Sequence, residues 1–232
     1  MEEENSDTVA SLDSMADLYV KRGMFADAKP FAKRALLCRQ RVMGEFHEAT
    51  ALSMSKLAFI SIQLGEFDEA ETLYLKVVPI LEQEVGPLSP DVANNLNNLA
   101  VVAAHKDQYA RAEMLYRRAL KIQEQALGKE HPATVRSLSN LAGVLIGQGK
   151  YEQAEPLCLR TLELLEPIMD TNDTTLTTLY IRIAYVYARQ NKYVLARSYY
   201  RRGLKICKES LGANHPLTRS LQVQYRHVAE QK

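Results

Sequence analysis

Residues 127–132 read Leu127-Gly128-Lys129-Glu130-His131-Pro132, and after them come Leu138, Asn140-Leu141-Ala142, Gly149-Lys150-Tyr151 and Ala154. The same order stands 42 residues earlier as Val85-Gly86, Pro90, Leu96, Asn98-Leu99-Ala100, Tyr109 and Ala112. Another step back meets Gly44, His47, Leu57-Ala58, Gly65, Phe67 and Ala70, and one more meets Ala16, Gly23, Phe25 and Ala28. Forward of the reference stand Ile183-Ala184, Tyr193 and Ala196, and finally Leu211-Gly212-Ala213-Asn214-His215-Pro216. Self-similarity at a fixed period marks a repeat architecture in which each repeat is one supersecondary unit. A register kept without insertion over 232 residues gives about five and a half repeats.

Each repeat reads as two helices, A and B. Leu138, Leu141, Ala142 and Leu145 follow the i, i+3, i+4, i+7 spacing of one apolar helix face, and Ala154, Leu157, Cys158 and Leu162 follow a closely related one. Gly23, Gly65 and Gly149 fall just past helix A, where a left-handed residue ends a helix at low cost. Asp107 and Asn191 take that place in two repeats, and both types tolerate the conformation. Gly44, Gly86, Gly128 and Gly212 do the same after helix B, and Pro132 and Pro216 suit the first position of the next helix A. Small residues at Ala28, Ala70, Ala112, Ala154 and Ala196, matched in helix A by Ala16, Ala58, Ala100, Ala142 and Ala184, predict close helix crossings. The rings at Phe25, Phe67, Tyr109, Tyr151 and Tyr193 follow the A–B turn and should wedge between neighbouring repeats.

The spacing predicts an all-α chain: helices over 6–22 and 25–41, 47–64 and 67–83, 89–106 and 109–125, 131–148 and 151–168, 173–190 and 193–210. A last helix over 215–230 carries Leu217, Leu221 and Val228 on one side, opposite a polar side of Arg219, Gln222, Arg226 and Glu230, as a terminal cap requires. One repeat domain over 1–232 is expected, with repeats at 6–42, 43–84, 85–126, 127–168 and 169–210.

Composition narrows the function. A content of 47% apolar and 25% charged residues is that of a globular chain, and a net charge of +1 lacks the basic excess of a typical nucleic-acid binder. No apolar run approaches the roughly 18 residues of a membrane span. The acidic start Met1-Glu2-Glu3-Glu4 has no apolar stretch behind it and does not read as a secretory signal. Cys38, Cys158 and Cys207 show no C-x-x-C spacing and cannot all pair, which points to a reducing compartment, the cytoplasm.

Chemistry is sparse. His47, His131 and His215 recur at one place in different repeats, so stacking spreads them apart, and they read as turn residues rather than as ligands of one metal. There is no H-E-x-x-H and no G-x-S-x-G, and Gly143, Gly147 and Gly149 follow no strand, so they form no phosphate fingerprint. No enzyme activity, metal or cofactor is expected. Two basic clusters on helix B, Arg117-Arg118-Ala119-Leu120-Lys121 and Arg201-Arg202-Gly203-Leu204-Lys205, lack an aromatic stacking platform and read as a solvated face, with RNA binding as the minor alternative.

The strings Leu96-Asn97-Asn98-Leu99-Ala100, Leu127-Gly128-Lys129-Glu130-His131-Pro132 and Tyr151-Glu152-Gln153-Ala154-Glu155-Pro156-Leu157-Cys158 resemble the 42-residue tetratricopeptide repeat of kinesin light chains and their relatives. The resemblance covers about residues 10–225 and does not include a heptad coiled coil of the kind that precedes kinesin light chain repeats. It implies a right-handed α-solenoid whose A helices line a concave groove. Groove positions would then be Lys56 in the second repeat, Asn94, Asn97, Asn98 and His105 in the third, Arg136, Ser139 and Asn140 in the fourth, and Arg182 and Tyr185 in the fifth.

An amide offers donors and an acceptor to the main chain of an extended peptide, and the cations would favour acidic side chains. The expected partner is therefore an extended, acidic peptide or protein segment held by a non-catalytic scaffold, with neither membrane nor nucleic acid as ligand. The alternative is the repeat portion of a larger regulatory or signalling protein. Chaperone tails are not expected as ligands. The asparagine of the lysine–asparagine–arginine clamp that binds them in related repeats is replaced here by Asp17, Phe59, Val101, Gly143 and Tyr185.

Overall fold

The computed structural model describes residues 6–169 and 174–231; the acidic start at Met1–Glu4, the expected first residue of the ninth helix at 173, and Lys232 lie outside the described residues. The described residues form eleven helices and no strand, in two compact units that divide after Gly128. The first unit holds α1 (Ser6–Lys21), α2 (Phe25–Met43), α3 (Glu48–Gln63), α4 (Phe67–Glu84), α5 (Pro90–His105) and α6 (Tyr109–Ala126). The second holds α7 (Pro132–Gly147), α8 (Tyr151–Leu165), α9 (Thr174–Arg189), α10 (Tyr193–Leu211) and α11 (Pro216–Glu230). Within each unit every helix packs on the next in chain order, the stacking of a helix-pair solenoid. The observed helix ends fall within three residues of the spans that the periodicity predicts.

Local chemistry sets the turns. The glycines at 23, 65 and 149 have φ of 71°, 77° and 74°. Asp107 and Asn191 adopt the same left-handed region at 58° and 60° without being glycine. Each of these two accepts a hydrogen bond from the ring that follows the turn: Tyr109 Oη donates to Asp107 Oδ1 at 3.0 Å, and Tyr193 Oη to Asn191 Oδ1 at 2.8 Å. The strain of a side chain in this region is offset by a bond that glycine cannot make. The recurring histidines prove to be helix N-caps. Nδ1 of His47, His131 and His215 accepts the backbone N–H two residues on, at 3.0, 3.2 and 3.3 Å, and Ser89 Oγ does so at the matching place before α5.

Packing rests on the small residues. Ala28, Ala70, Ala112, Ala154 and Ala196 are all fully buried, and so, to within a percent, are their helix A counterparts. Rings reach forward as expected: Phe25 meets Phe59 of α3 edge-on at 6.3 Å, Phe67 stacks on His105 of α5 at 4.6 Å, and Tyr151 meets Tyr185 of α9 at 6.1 Å. Ion pairs then bind one repeat to the next. Asp13 of α1 takes Arg39 of α2 and Lys56 of α3, Glu69 of α4 takes Lys29 of α2, Glu71 of α4 takes Lys106 and Arg111, and Glu155 of α8 takes Lys192.

Burial pushes the Asp13 carboxyl up, but the Arg39 and Lys56 hydrogen bonds together outweigh it and hold the group below its ordinary value. Glu71 is held low by the Lys106 and Arg111 hydrogen bonds against a smaller effect of burial. Glu69 is lowered chiefly by its hydrogen bond to Lys29. At Glu155 burial again opposes, and Lys192 leads the groups that overcome it.

Two expectations follow for stability. Ala112→Leu in the first unit and Ala154→Leu in the second each overpack a close crossing and should cost roughly 1–3 kcal/mol in denaturant unfolding; unchanged midpoints for both would refute the tight contact. Carboxyls whose folded values are depressed contribute stability that is complete above their ordinary values of 3.8 for Asp and 4.5 for Glu. That contribution drains away as pH falls through the folded values, because the unfolded chain then binds more protons. The urea midpoint should therefore drop between about pH 5 and pH 3, and Glu71→Gln should flatten the drop. A midpoint indifferent to acid would contradict these bridges.

Candidate functional site

In the first unit the A helices are α1, α3 and α5, and here most of the polar groups of the row are bonded within the fold. Lys56 Nζ lies 3.1 Å from Asp13 and 2.7 Å from Asp17, so its charge is neutralised in place. Asn94 Oδ1 accepts from Nε2 of the fully buried Gln123 at 3.3 Å, tying α5 to α6. Asn97 is 3% exposed and presents almost no surface to a ligand, which corrects its placement in a groove. Ala93 and Ala100, which share its helix face at i−4 and i+3, are fully buried, so the packing between helices takes in the amide as well. Asn98 is half-buried beside the Tyr74 hydroxyl; burial raises Tyr74 well above the usual phenol value, and Asn98 pulls the other way. His105 is exposed and lies flat against Phe67. Asn95, which the sequence reading passed over, bridges the row: Ser55 Oγ of α3 donates to its Oδ1 at 2.6 Å, and its Nδ2 donates to the Asp91 carbonyl at 2.8 Å.

The second unit is different. Its A helices α7 and α9 contain Arg136, Arg182 and Arg189 and no Asp or Glu at all. None of these three arginines is in an ion pair among the described residues. Arg182 is half-buried: Nη1 donates to the Ser139 carbonyl at 3.1 Å and to Ser139 Oγ at 3.0 Å, and the guanidinium rests over Gly143. Its charge reaches Cys158, whose thiol burial pushes up to about 11 while Arg182 draws it down. Arg136 is exposed beside Ser139 and Asn140, and with Leu164, Leu165 and Ile168 they line a cleft of about 260 Å³, which Glu130, from the turn before α7, also borders. Tyr185 is exposed, and its phenol is raised above the ordinary value chiefly by a hydrogen bond with Tyr151. Arg189 Nε donates to Tyr151 Oη at 3.1 Å. The structure therefore brings together Arg136, Ser139 and Asn140 at one cleft and joins Ser139 to Arg182, all within the second unit.

Three of the six cations in the outer clusters are paired with carboxylates among the described residues. Arg117 pairs with Glu113 at 2.9 Å, Arg118 with Glu82, and Arg202 with Glu166. Arg202 also covers the Tyr180 ring at 4.6 Å. Cations held in this way have less to offer a phosphate backbone. Among the described residues no three His, Cys, Asp or Glu side chains group as metal ligands would, and no helix is long and apolar enough to cross a membrane.

Known proteins were compared with this geometry. Family models described as tetratricopeptide repeat match residues 7–83, 91–166 and 176–217. A search of curated proteins finds no match. Among solved structures the chain is similar to BtubC (BKLC) from P. vanneervenii, with a TM-score of 0.75 and 23% identity over 90% of this chain and 82% of that one. It is similar also to a Podosopora anserina protein described as of the kinesin light chain kind, with nearly identical TPR-like repeats (TM-score 0.74, 19% identity, 90% and 99% covered). The apo form of RapI is a more distant likeness at a TM-score of 0.65 and 17% identity, over 89% and 86% of the two chains. At such identities the likeness is one of fold.

Proposed function

The chain belongs to the tetratricopeptide repeat family, of the kinesin-light-chain-like type, and we propose that it is a non-catalytic scaffold whose second unit holds an extended acidic peptide along α7 and α9. The family's repeats serve generally in protein–protein interaction and generally not as enzymes. The observation that carries the finer reading is the acid-free row: Arg136, Arg182 and Arg189 stand on helices without a single carboxylate. A half-buried guanidinium with no counter-ion among the described residues, as at Arg182, is a standing electrostatic demand that a ligand carboxylate meets, and its planar fork suits that group. Asn140, which makes no hydrogen bond within the described residues, is free to meet the peptide main chain, and Tyr185 offers an exposed ring. In the first unit Lys56 already has Asp13 and Asp17. Three buried cysteines with no disulfide among the described residues support a reducing compartment, the cytoplasm.

The test uses peptides selected by display on the intact chain, titrated calorimetrically. Arg136→Glu with Arg182→Glu should weaken acidic peptides by about tenfold or more and spare neutral ones, since like charges at an interface repel. Asn140→Ala should weaken all bound peptides alike, by about 0.5–1.5 kcal/mol for the lost bond. Substitution of Arg117, Arg118, Arg201 and Arg202 should change little. Binding lost in the outer variant and kept in both helix A variants would place the partner surface on helix B and overturn the reading.

A further inference from the structure

The second unit contains another concavity, away from the cleft at Arg136. Between α9, α10 and α11 lies a cleft of about 600 Å³, within the size range of small-ligand sites. Its walls include Tyr185, Arg189 and Tyr193 from one side and Gln224 and His227 from α11, and Tyr200, only 2% exposed, lies at its base. Three features of this lining act together. No Asp or Glu borders the cleft, so nothing in it repels an anion or neutralises its cation. Arg189 is held in place by a neutral group: its Nε bonds Tyr151 Oη at 3.1 Å and its Cζ lies 5.4 Å from the Tyr151 ring centre, so its charge is positioned but not cancelled. The rest of the lining is rich in donors and rings: three phenols, an imidazole and side-chain amides.

We propose that this cleft binds an aryl phosphate, as carried by a phosphorylated tyrosine of a partner protein. A carboxylate has two oxygens, whereas a phosphate monoester brings three strong acceptors and a charge of about −1.5 to −2. The guanidinium fork of Arg189, the His227 ring and the Gln224 amide supply more donors than a carboxylate can use. The tyrosine faces give the ligand ring an apolar seat, with offset or edge-on stacking. The cleft shares Arg189 and Tyr185 with the end of the acidic-peptide row and lies beyond Arg136 and Arg182, neither of which borders it.

The probes are phenyl phosphate, benzoate, phenol and inorganic phosphate, titrated into the whole chain and followed by NMR. Phenyl phosphate should shift resonances of Tyr185, Arg189, Tyr193 and His227 saturably, and bind about tenfold or more tightly than benzoate or phenol. Inorganic phosphate should compete for the same residues but more weakly, because it lacks the ring. Arg189→Gln should weaken phenyl phosphate by about tenfold, and His227→Gln, on an exposed face where loss of fold is not at issue, should weaken it several-fold. Arg136→Gln should leave it unchanged, which separates binding here from binding at the Arg136 cleft. Shifts that do not saturate, that fall elsewhere, that benzoate reproduces at equal affinity, or that persist in both cleft variants would overturn the proposal.

Discussion

The structure depends on the close approach of two helices at an alanine. Each helix B crosses its helix A where Ala28, Ala70, Ala112, Ala154 or Ala196 leaves no exposed surface. The turn that permits the crossing requires one residue with φ near 60–77°, whether glycine, aspartate or asparagine. Given these two conditions, the apolar faces of a helix pair cannot be satisfied within the pair, and the next repeat covers them. The rings after the turns and the carboxylate bridges of Asp13, Glu69, Glu71 and Glu155 then fasten one repeat to the next.

The same stacking decides which charges are left for a partner. Where a repeat places an acid one period away from a base on the helix A row, the two pair across the junction, as Lys56 does with Asp13 and Asp17. In α7 and α9 there are no acids to serve as partners, and Arg182 settles for the carbonyl and hydroxyl of Ser139. The outer faces follow the rule of the first unit, since Arg117, Arg118 and Arg202 have carboxylates within reach. Arginines with no carboxylate partner among the described residues thus stand on α7 and α9, one of them at the cleft against α11, although the whole chain carries a net charge of only +1.

Most of the fold is legible in the sequence because backbone-dictating residues recur at fixed spacing. Asp107 and Asn191 were readable as left-handed residues because they stand in the place of glycine. The capping by His47, His131 and His215 was missed, although Ser89 at the matching position, an ordinary N-cap residue, signals it. The site was legible in residue types but less so in their availability. Asn97 sits on the expected helix and is nevertheless buried, because it shares a helix face with the fully buried Ala93 and Ala100. Lys56 was readable as a cation but not as a paired one. Contacts along the helix A row run at sequence separations of 40 and 43, as in Ser55 with Asn95, Lys56 with Asp13, and Arg182 with Ser139. Superposing the sequence on itself at that spacing would have revealed the pairing. His227, Gln224 and Tyr200 carry no motif, and only the packing of α11 against α9 and α10 assembles them.

The central claim is that the partner lies along the A helices of the second unit. Photocrosslinking tests it most directly, with benzoyl-phenylalanine placed at position 140 on α7 or, separately, at position 201 on α10, in the presence of an acidic peptide selected on the intact chain. The account predicts that the peptide crosslinks from position 140 and not from 201, and that free polyglutamate suppresses the crosslink. Efficient crosslinking from position 201 with none from 140 would contradict it.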